Sequence, residues 1–366
     1  MEGLRALPPP APALVPASVA HVQVDLTDAA AVAEALAPLT DITHVFYVAM
    51  SWRPTEAQTG ETNSAMLRNV LSVVIRNCPR LAHVSLQTGT RHYFGRLDGT
   101  TGRVHDPPYT EDMARLDIPV FYYDQEDILF HAVADRRGVA ATVGWSVHRP
   151  NLIFGFSPRS EANVVCSLCV HAAICLKEGV KLRWPGSRAA WEGLNNGSDA
   201  DLVGEQHIWA AVDPMAKNEA FNCSNGDVYR WKQLWPVLAG RFGLEWTGYE
   251  GEESRFQVAD AMAGKESVWA AIVPENELVE TELGEVASWW VIDAVTDQFG
   301  LGLEILDSMN KSKSTDSSAS GTRSSPSTRG STGLKLTRLF LDDALIYLFD
   351  CSIYCSFGQA GACGIS

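Results

Sequence analysis

The sequence predicts an α/β fold, a doubly wound parallel sheet with a smaller, mainly helical portion after it. Apolar runs bounded by turns alternate with helical patterns at the spacing of βαβ units as far as Pro150. Beyond Pro158 the helical pattern dominates. Between the two, Val147-His148-Arg149-Pro150 reads as a buried strand that stops at a proline, and ligands in open α/β sheets sit just past such strand ends.

In chain order, Val22-Gln23-Val24-Asp25 reads as a strand closing on an acid, and Asp28-Ala29-Ala30-Ala31-Val32 as the helix start that follows. His44–Val48 is the next strand and Ser64–Asn77 the next helix. His83–Gln87 follows, with Thr88-Gly89 as its loop. A long loop closes with His105-Asp106-Pro107-Pro108 before a helix that begins near Tyr122, and Trp145–Pro150 completes this set of strands. Helices are then expected over Val164–Leu176, Asp199–Ala211, Trp231–Phe242 and Val286–Asp297, with Asp199 capping its helix. Residues 312–333 are Ser/Thr/Gly-rich and cannot bury enough apolar area to offset ordering entropy, so a disordered linker is expected there, with an atypical tail over 334–366.

Apolar residues make up 46% of the chain, enough for a substantial core. The net charge of −15 argues against nucleic acid as a partner, because phosphate binding needs a basic face. The eight cysteines follow no disulfide framework, which points to a reducing, cytoplasmic setting. Cys166, Cys169, His171 and Cys175 have a metal-like spacing, but they lie in an apolar helical stretch and read as buried structural groups. The N-terminus, with Pro8-Pro9-Pro10, is not a signal peptide. Ala344–Phe357 is too short to span a bilayer, so no membrane association is expected.

Several blocks carry a family resemblance over 21–313. They are Thr43–Val48, Ser85-Leu86-Gln87-Thr88-Gly89, His105–Asp112, Phe121-Tyr122-Tyr123, Trp145–Pro158, Ser198-Asp199-Ala200-Asp201, Asn218–Asn222 and Ser308–Lys313. In these the chain resembles the progesterone 5β-reductase and iridoid synthase-like (PRISE) family, a plant-rich branch of the short-chain dehydrogenase/reductases. The resemblance implies a Rossmann-like sheet and an NADPH-dependent reduction of an activated carbon–carbon double bond in an enone or steroid-like small molecule. Tyr122 takes the family's catalytic tyrosine position, where it would bond the oxygen that gains charge as hydride arrives. Tyr123 reads as packing. By the same resemblance Leu26, Ala49, Gln87, Tyr122, Ile153, Ser160, Glu161 and Ala162 fall at cofactor-binding positions. Asp25, just past a strand end, either meets the cofactor or caps a helix. Homodimerisation is left open.

Two departures stand beside the matches. Arg91 replaces the lysine of the family's Thr-Gly-x-Lys-His-Tyr loop, a non-conservative exchange that should slow catalysis unless Arg91 is simply a surface residue. No Gly-x-x-Gly-x-x-Gly turn precedes Val22 to cradle a pyrophosphate, and Arg5 is a weak stand-in for the arginines that meet a 2′-phosphate. The expected organisation is a truncated NADP-binding region over 1–160 and a mainly helical substrate-side region over 161–311, then the linker and tail. The expected activity is an impaired enone reductase. The alternatives are a non-catalytic remnant or binding module, and a carbonyl reductase or epimerase on the same scaffold.

Overall fold

Side-chain caps set where the first helices begin. Asp28 accepts from the amides of Ala30 and Ala31 to start α1 (Ala29–Leu36), and Thr55 accepts from Gln58 N to start α2 (Glu56–Asn77). The second helix therefore begins eight residues before the apolar periodicity does. Between them lies β1 (His44–Tyr47). The structure is a computed structural model, and it describes residues 20, 22–95, 104–136, 142–155, 162–279, 281–297, 300, 302 and 304–319. Next come β2 (His83–Gln87), the single turn α3 (Arg91–Phe94), α4 (Phe121–Ala134) and β3 (Gly144–Pro150). They are followed by β4 (Leu152–Phe154), α5 (Val164–Glu178), β5 (Leu182–Arg183), α6 (Arg188–Glu192), β6 (Gly197–Asp199) and α7 (Ala200–Val212). The rest are β7 (Glu219–Cys223), α8 (Trp231–Arg241), β8 (Trp246–Thr247), α9 (Val258–Ala261), α10 (Glu266–Glu275), α11 (Leu283–Val286), α12 (Trp289–Thr296) and α13 (Asn310–Ala319).

The described residues form two units, one within Met1–Pro150, Val203–Cys223 and Ser308–Arg323, the other within Asn151–Leu202, Ser224–Asp307 and Ser324–Ser366. In the first, the strands lie in the order β1-β2-β3-β7 and are parallel throughout. Strand alternation gives β2 and β3 two unlike faces. Val84, Leu86 and Val147 point into an apolar cluster with Val32, Leu67, Leu71 and Leu129 from α1, α2 and α4. Each such side chain contributes about 1.5–3 kcal/mol on burial. His83, Ser85, Ser146 and His148 are also buried, and they join Gln206 and His207 of α7 in a hydrogen-bonded polar layer.

In the second unit, Asn163 accepts from Cys166 N to start α5, and Gly179, at φ 67, ends it in the left-handed conformation. Cys166, Leu168, Cys169, Ile174 and Cys175 pack in one core with Trp184, Trp231, Trp235 and Trp269. Burial pushes the Cys166 thiol up to about 12 and the Cys175 thiol up to about 11, and pulls His171 down to about 4. Asp199 caps α7 as expected, accepting from Asp201 N at 2.8 Å and Leu202 N at 3.4 Å.

Three sequence expectations need correction. Val22–Asp25 is not a strand. Val22 is exposed, Asp28 N bonds to Asp25 O in a turn, and among the described residues no ladder partner reaches this stretch. The helix expected over Val286–Asp297 is interrupted between α11 and α12, where Ser288 N turns to Ser167 Oγ. The Ser-rich run is helical through Ala319, because Lys311 Nζ reaches Glu219 at 2.7 Å and Gln206 Nε2 reaches Ser312 Oγ at 3.2 Å. Tertiary anchors here outweigh composition. Residues 320–366, including the rest of the expected linker and the tail with Ala344–Phe357, lie outside the described residues. Among the described residues no helix is long and apolar enough to cross a membrane.

Candidate active site

The loop after β2 is pinned to the end of β3. Thr88 N donates to His148 O at 2.7 Å, and Thr90 N to Pro150 O at 3.1 Å. The hydroxyls of Thr88 and Thr90 donate to the same two carbonyls. This brings Gly89 against the first turn of α4. A Cβ added at Gly89 would sit 3.2 Å from Tyr122 Oη, 3.3 Å from Tyr122 Cε2 and 3.4 Å from Pro150 O. A Gly89→Ala protein should be less stable by about 1–3 kcal/mol, because the crowded ring and strand end must give way together. Urea unfolding reads this, and an unchanged midpoint would mean that the ring moves aside freely.

Tyr122 and its neighbour differ in what their hydroxyls do. Tyr123 is buried, donates to His92 O at 2.6 Å and accepts from Leu116 N at 3.0 Å, so its polar end is consumed by structure. Tyr122 is half-buried, and among the described residues its hydroxyl has no hydrogen-bond partner. Burial raises its pKa above the ordinary tyrosine value, Arg91 pulls it back and Glu56 pushes it up again.

Arg91 is not a surface residue. It is buried, with its guanidinium 5.1 Å from the Phe121 ring and 5.9 Å from the rings of Trp52 and Tyr122. Nε donates to Gly95 O at 3.1 Å, Nη2 bonds Glu56 at the start of α2, and Nη1 is buried without a partner among the described residues. Glu56 and Trp52 had not been singled out from the sequence. No motif marks them, because only the fold brings α2 beside α3.

Below this site a second charged group anchors α4. Glu126, one helical turn beyond Tyr122, accepts from Arg149 of β3 at 3.1 Å and from Arg115 at 3.0 Å, and His92 Nδ1 stands 3.4 Å away. Burial alone would raise the Glu126 carboxyl, but His92 and Arg149 hold it down to about 2. Arg149 also donates to Tyr93 Oη at 3.1 Å, and that hydroxyl donates to Asn222 Oδ1 at 2.6 Å. Arg149 is thus a structural anchor.

The pattern of a tyrosine at the head of α4, beside a cation on the loop after β2, is what a family comparison can test. A family described as a PRISE-like Rossmann-fold domain matches residues 19–284. The chain belongs to this family.

PRISE-like relatives are close in sequence over most of the chain. A 3-oxo-Delta(4,5)-steroid 5-beta-reductase of Arabidopsis thaliana is 53% identical over 294 residues, covering 80% of this chain and 73% of that protein. An (S)-8-oxocitronellyl enol synthase, ISY1, of Nepeta cataria is 51% identical over 296 residues, covering 81% of this chain and 74% of its own length. A second enol synthase, CYC2 of Camptotheca acuminata, is 49% identical over 298 residues, covering 81% and 74%.

The residues assigned to cofactor binding are spread along this PRISE-like chain. Gln87 ends β2, directly beside the pinned loop. Ala49 lies just past β1, packed against the apolar cluster. Leu26 is tied down through its carbonyl, which accepts from Asn69 Nδ2 of α2 at 2.9 Å. Asp25 is exposed, and its carboxylate accepts from Thr27 N at 2.8 Å and Thr27 Oγ1 at 2.7 Å, bonds that lower its pKa. The cap of α1 is Asp28, not Asp25. Ile153 is on β4 in the second unit, as is Ala162, while Ser160 and Glu161 lie outside the described residues. Tyr122, Arg91 and Gln87 therefore gather at the strand ends of one unit, while Asp25 and Leu26 occupy the turn before α1.

Proposed function

We propose that this protein reduces the carbon–carbon double bond of an enone, or a steroid-like enone, with NADPH as hydride donor. The observation that carries the reading is the unpartnered Tyr122 hydroxyl beside a buried cation, at the ends of β2 and β3, in a PRISE-like chain. When bound, NADPH supplies the hydride. Tyr122 would donate a hydrogen bond to the substrate oxygen as charge develops there, and its raised pKa keeps that proton in place at neutral pH. Arg91 would add positive potential from behind the ring.

For the cofactor, the half-buried Tyr122 and Gln87, at the strand ends where open α/β sheets take their ligands, suit a nicotinamide laid against the substrate. Gln87, Ala49 and Leu26 would line the same unit, and Ile153, Ser160, Glu161 and Ala162 are cofactor-binding positions by the family resemblance alone. Asp25 would offer ribose contact only by giving up its bonds to Thr27. The buried, unbridged cysteines among the described residues suit a reducing cytoplasm.

The test is saturable NADPH binding by cofactor fluorescence, followed by NADPH-dependent turnover of an enone by wild type and Tyr122→Phe. Loss of one preorganised donor should lower kcat by about 10²–10³. Folded protein that binds no NADPH would support the binding-module reading instead. Equal turnover by the Phe variant would remove Tyr122 from the chemistry.

A further inference from the structure

Resting on the reading of Tyr122 and Arg91 above, we infer that Glu56 is a positioning residue. It clamps Arg91 in its aromatic box and offsets part of its charge beside the Tyr122 ring. The geometry is specific. Glu56 is the first residue of α2, fixed there by the Thr55 cap, and its carboxylate bonds Arg91 Nη2. Both side chains are largely shielded, at 13% and 7% exposure, so the pair is weakly screened by solvent.

The remaining contacts hold the guanidinium in one place. Gly95 O takes Nε, and the rings of Trp52, Phe121 and Tyr122 surround the cation at 5.1–5.9 Å. The charged groups facing Tyr122 are then Arg91 from α3 and Glu56 from α2, acting with opposite signs. An arginine cannot shed its proton to relieve this. Burial of the ring does most to keep Tyr122 protonated, and the Glu56 counter-ion adds to it by opposing the permanent cation.

An expected result follows for the tyrosine itself, independent of cofactor or substrate. The Tyr122 titration is read as the difference in tyrosinate absorbance between each protein and its Tyr122→Phe counterpart. In Glu56→Gln, checked as folded by circular dichroism, Tyr122 should ionise about one pH unit lower than in wild type. Glu56→Asp, which keeps the charge, should return it close to the wild-type value. The double variant Glu56→Gln/Arg91→Gln leaves no unpaired charge and should titrate in the wild-type range.

If folded Glu56→Gln titrates with wild type, the inference is overturned. If Glu56→Gln does not fold, the double variant decides alone: agreement with wild type supports mutual neutralisation, and a departure of about a unit either way overturns it. These outcomes are separate from the Tyr122→Phe turnover test. A shifted titration with unaffected turnover in Tyr122→Phe would leave the electrostatic role standing and remove the catalytic one.

Discussion

Acidification should destabilise the first unit steeply between about pH 6.5 and 4. The cause is the polar layer on one face of β2 and β3. His83 Nε2 meets Ser146 Oγ at 2.9 Å, Ser85 Oγ meets Ser146 Oγ at 3.0 Å and His207 Nδ1 at 2.7 Å, and His148 Nε2 meets Ser146 Oγ at 3.0 Å. Gln206 donates through Nε2 to Asn222 O, which turns its Oε1 toward His148 Nδ1 at 2.8 Å. His148 must therefore carry its proton on Nδ1 and accept at Nε2 from Ser146, as a neutral ring. His148 and His207 stack at 4.0 Å, so a charge on either opposes a charge on the other. Burial is the leading cause that pulls His83 and His207 down to about 4 and His148 well below its ordinary value.

The sign follows from proton counting. Above pH ~6.5 these rings are neutral whether the chain is folded or not, and their linkage contributes nothing more as pH rises. Between about 6.5 and 4 the unfolded chain binds protons that the folded chain refuses, so stability falls with pH. For His83 and His207 the loss is roughly 3 kcal/mol each on reaching the lower limit, and His148 acts in the same direction. Together that is a large share of a domain stability of about 5–15 kcal/mol. Urea unfolding at several pH values measures it, and His207→Gln should remove about one proton from the uptake. Stability that stays level from about pH 7 down to 5 would sink this account.

That polar layer also shows what the sequence could and could not reveal. His83-Val84-Ser85-Leu86-Gln87 reads as a buried parallel strand from its length and apolar content, and so it is. The helices over residues 164–178, 200–212 and 231–241 were equally legible from periodicity and, for α7, from the Asp199 cap. Their common feature is that local pattern and tertiary burial agree. Val22–Asp25 has the local pattern of a strand but no ladder partner among the described residues, and residues 312–319 have the composition of a linker but find anchors on Glu219 and Gln206. Neither outcome is written within the segment. The candidate site divides in the same way. Tyr122 and Arg91 stood out through a resemblance, but Glu56 lies 35 residues before Arg91 and Glu126 lies 23 before Arg149, and only folding pairs them.

Replacing Glu126 by Gln should cost about 3–5 kcal/mol of stability at neutral pH, because it leaves Arg149 buried without its counter-charge. Both partners are shielded, at 3% and 6% exposure, and Arg149 can neither move to water nor lose its proton. Arg115 and His92 would face the same vacancy, and the links from α4 to β3 and α3 would weaken together. Removing both charges by Glu126→Gln/Arg149→Met should recover part of the loss, since an apolar chain of similar length carries no desolvation debt. The pH dependence separates this pair from the histidine layer. The Glu126 carboxyl is held from its ordinary 4.5 down to about 2, so its contribution is complete above about pH 4.5 and disappears only as pH falls toward 2. In Glu126→Gln the acid loss between about pH 6.5 and 4.5 should steepen, because buried His92 loses the carboxylate that raises its pKa. A variant as stable as wild type at neutral pH would mean that Arg149 has found another partner. An unchanged slope in the upper window would mean that His92 does not sense the Glu126 charge.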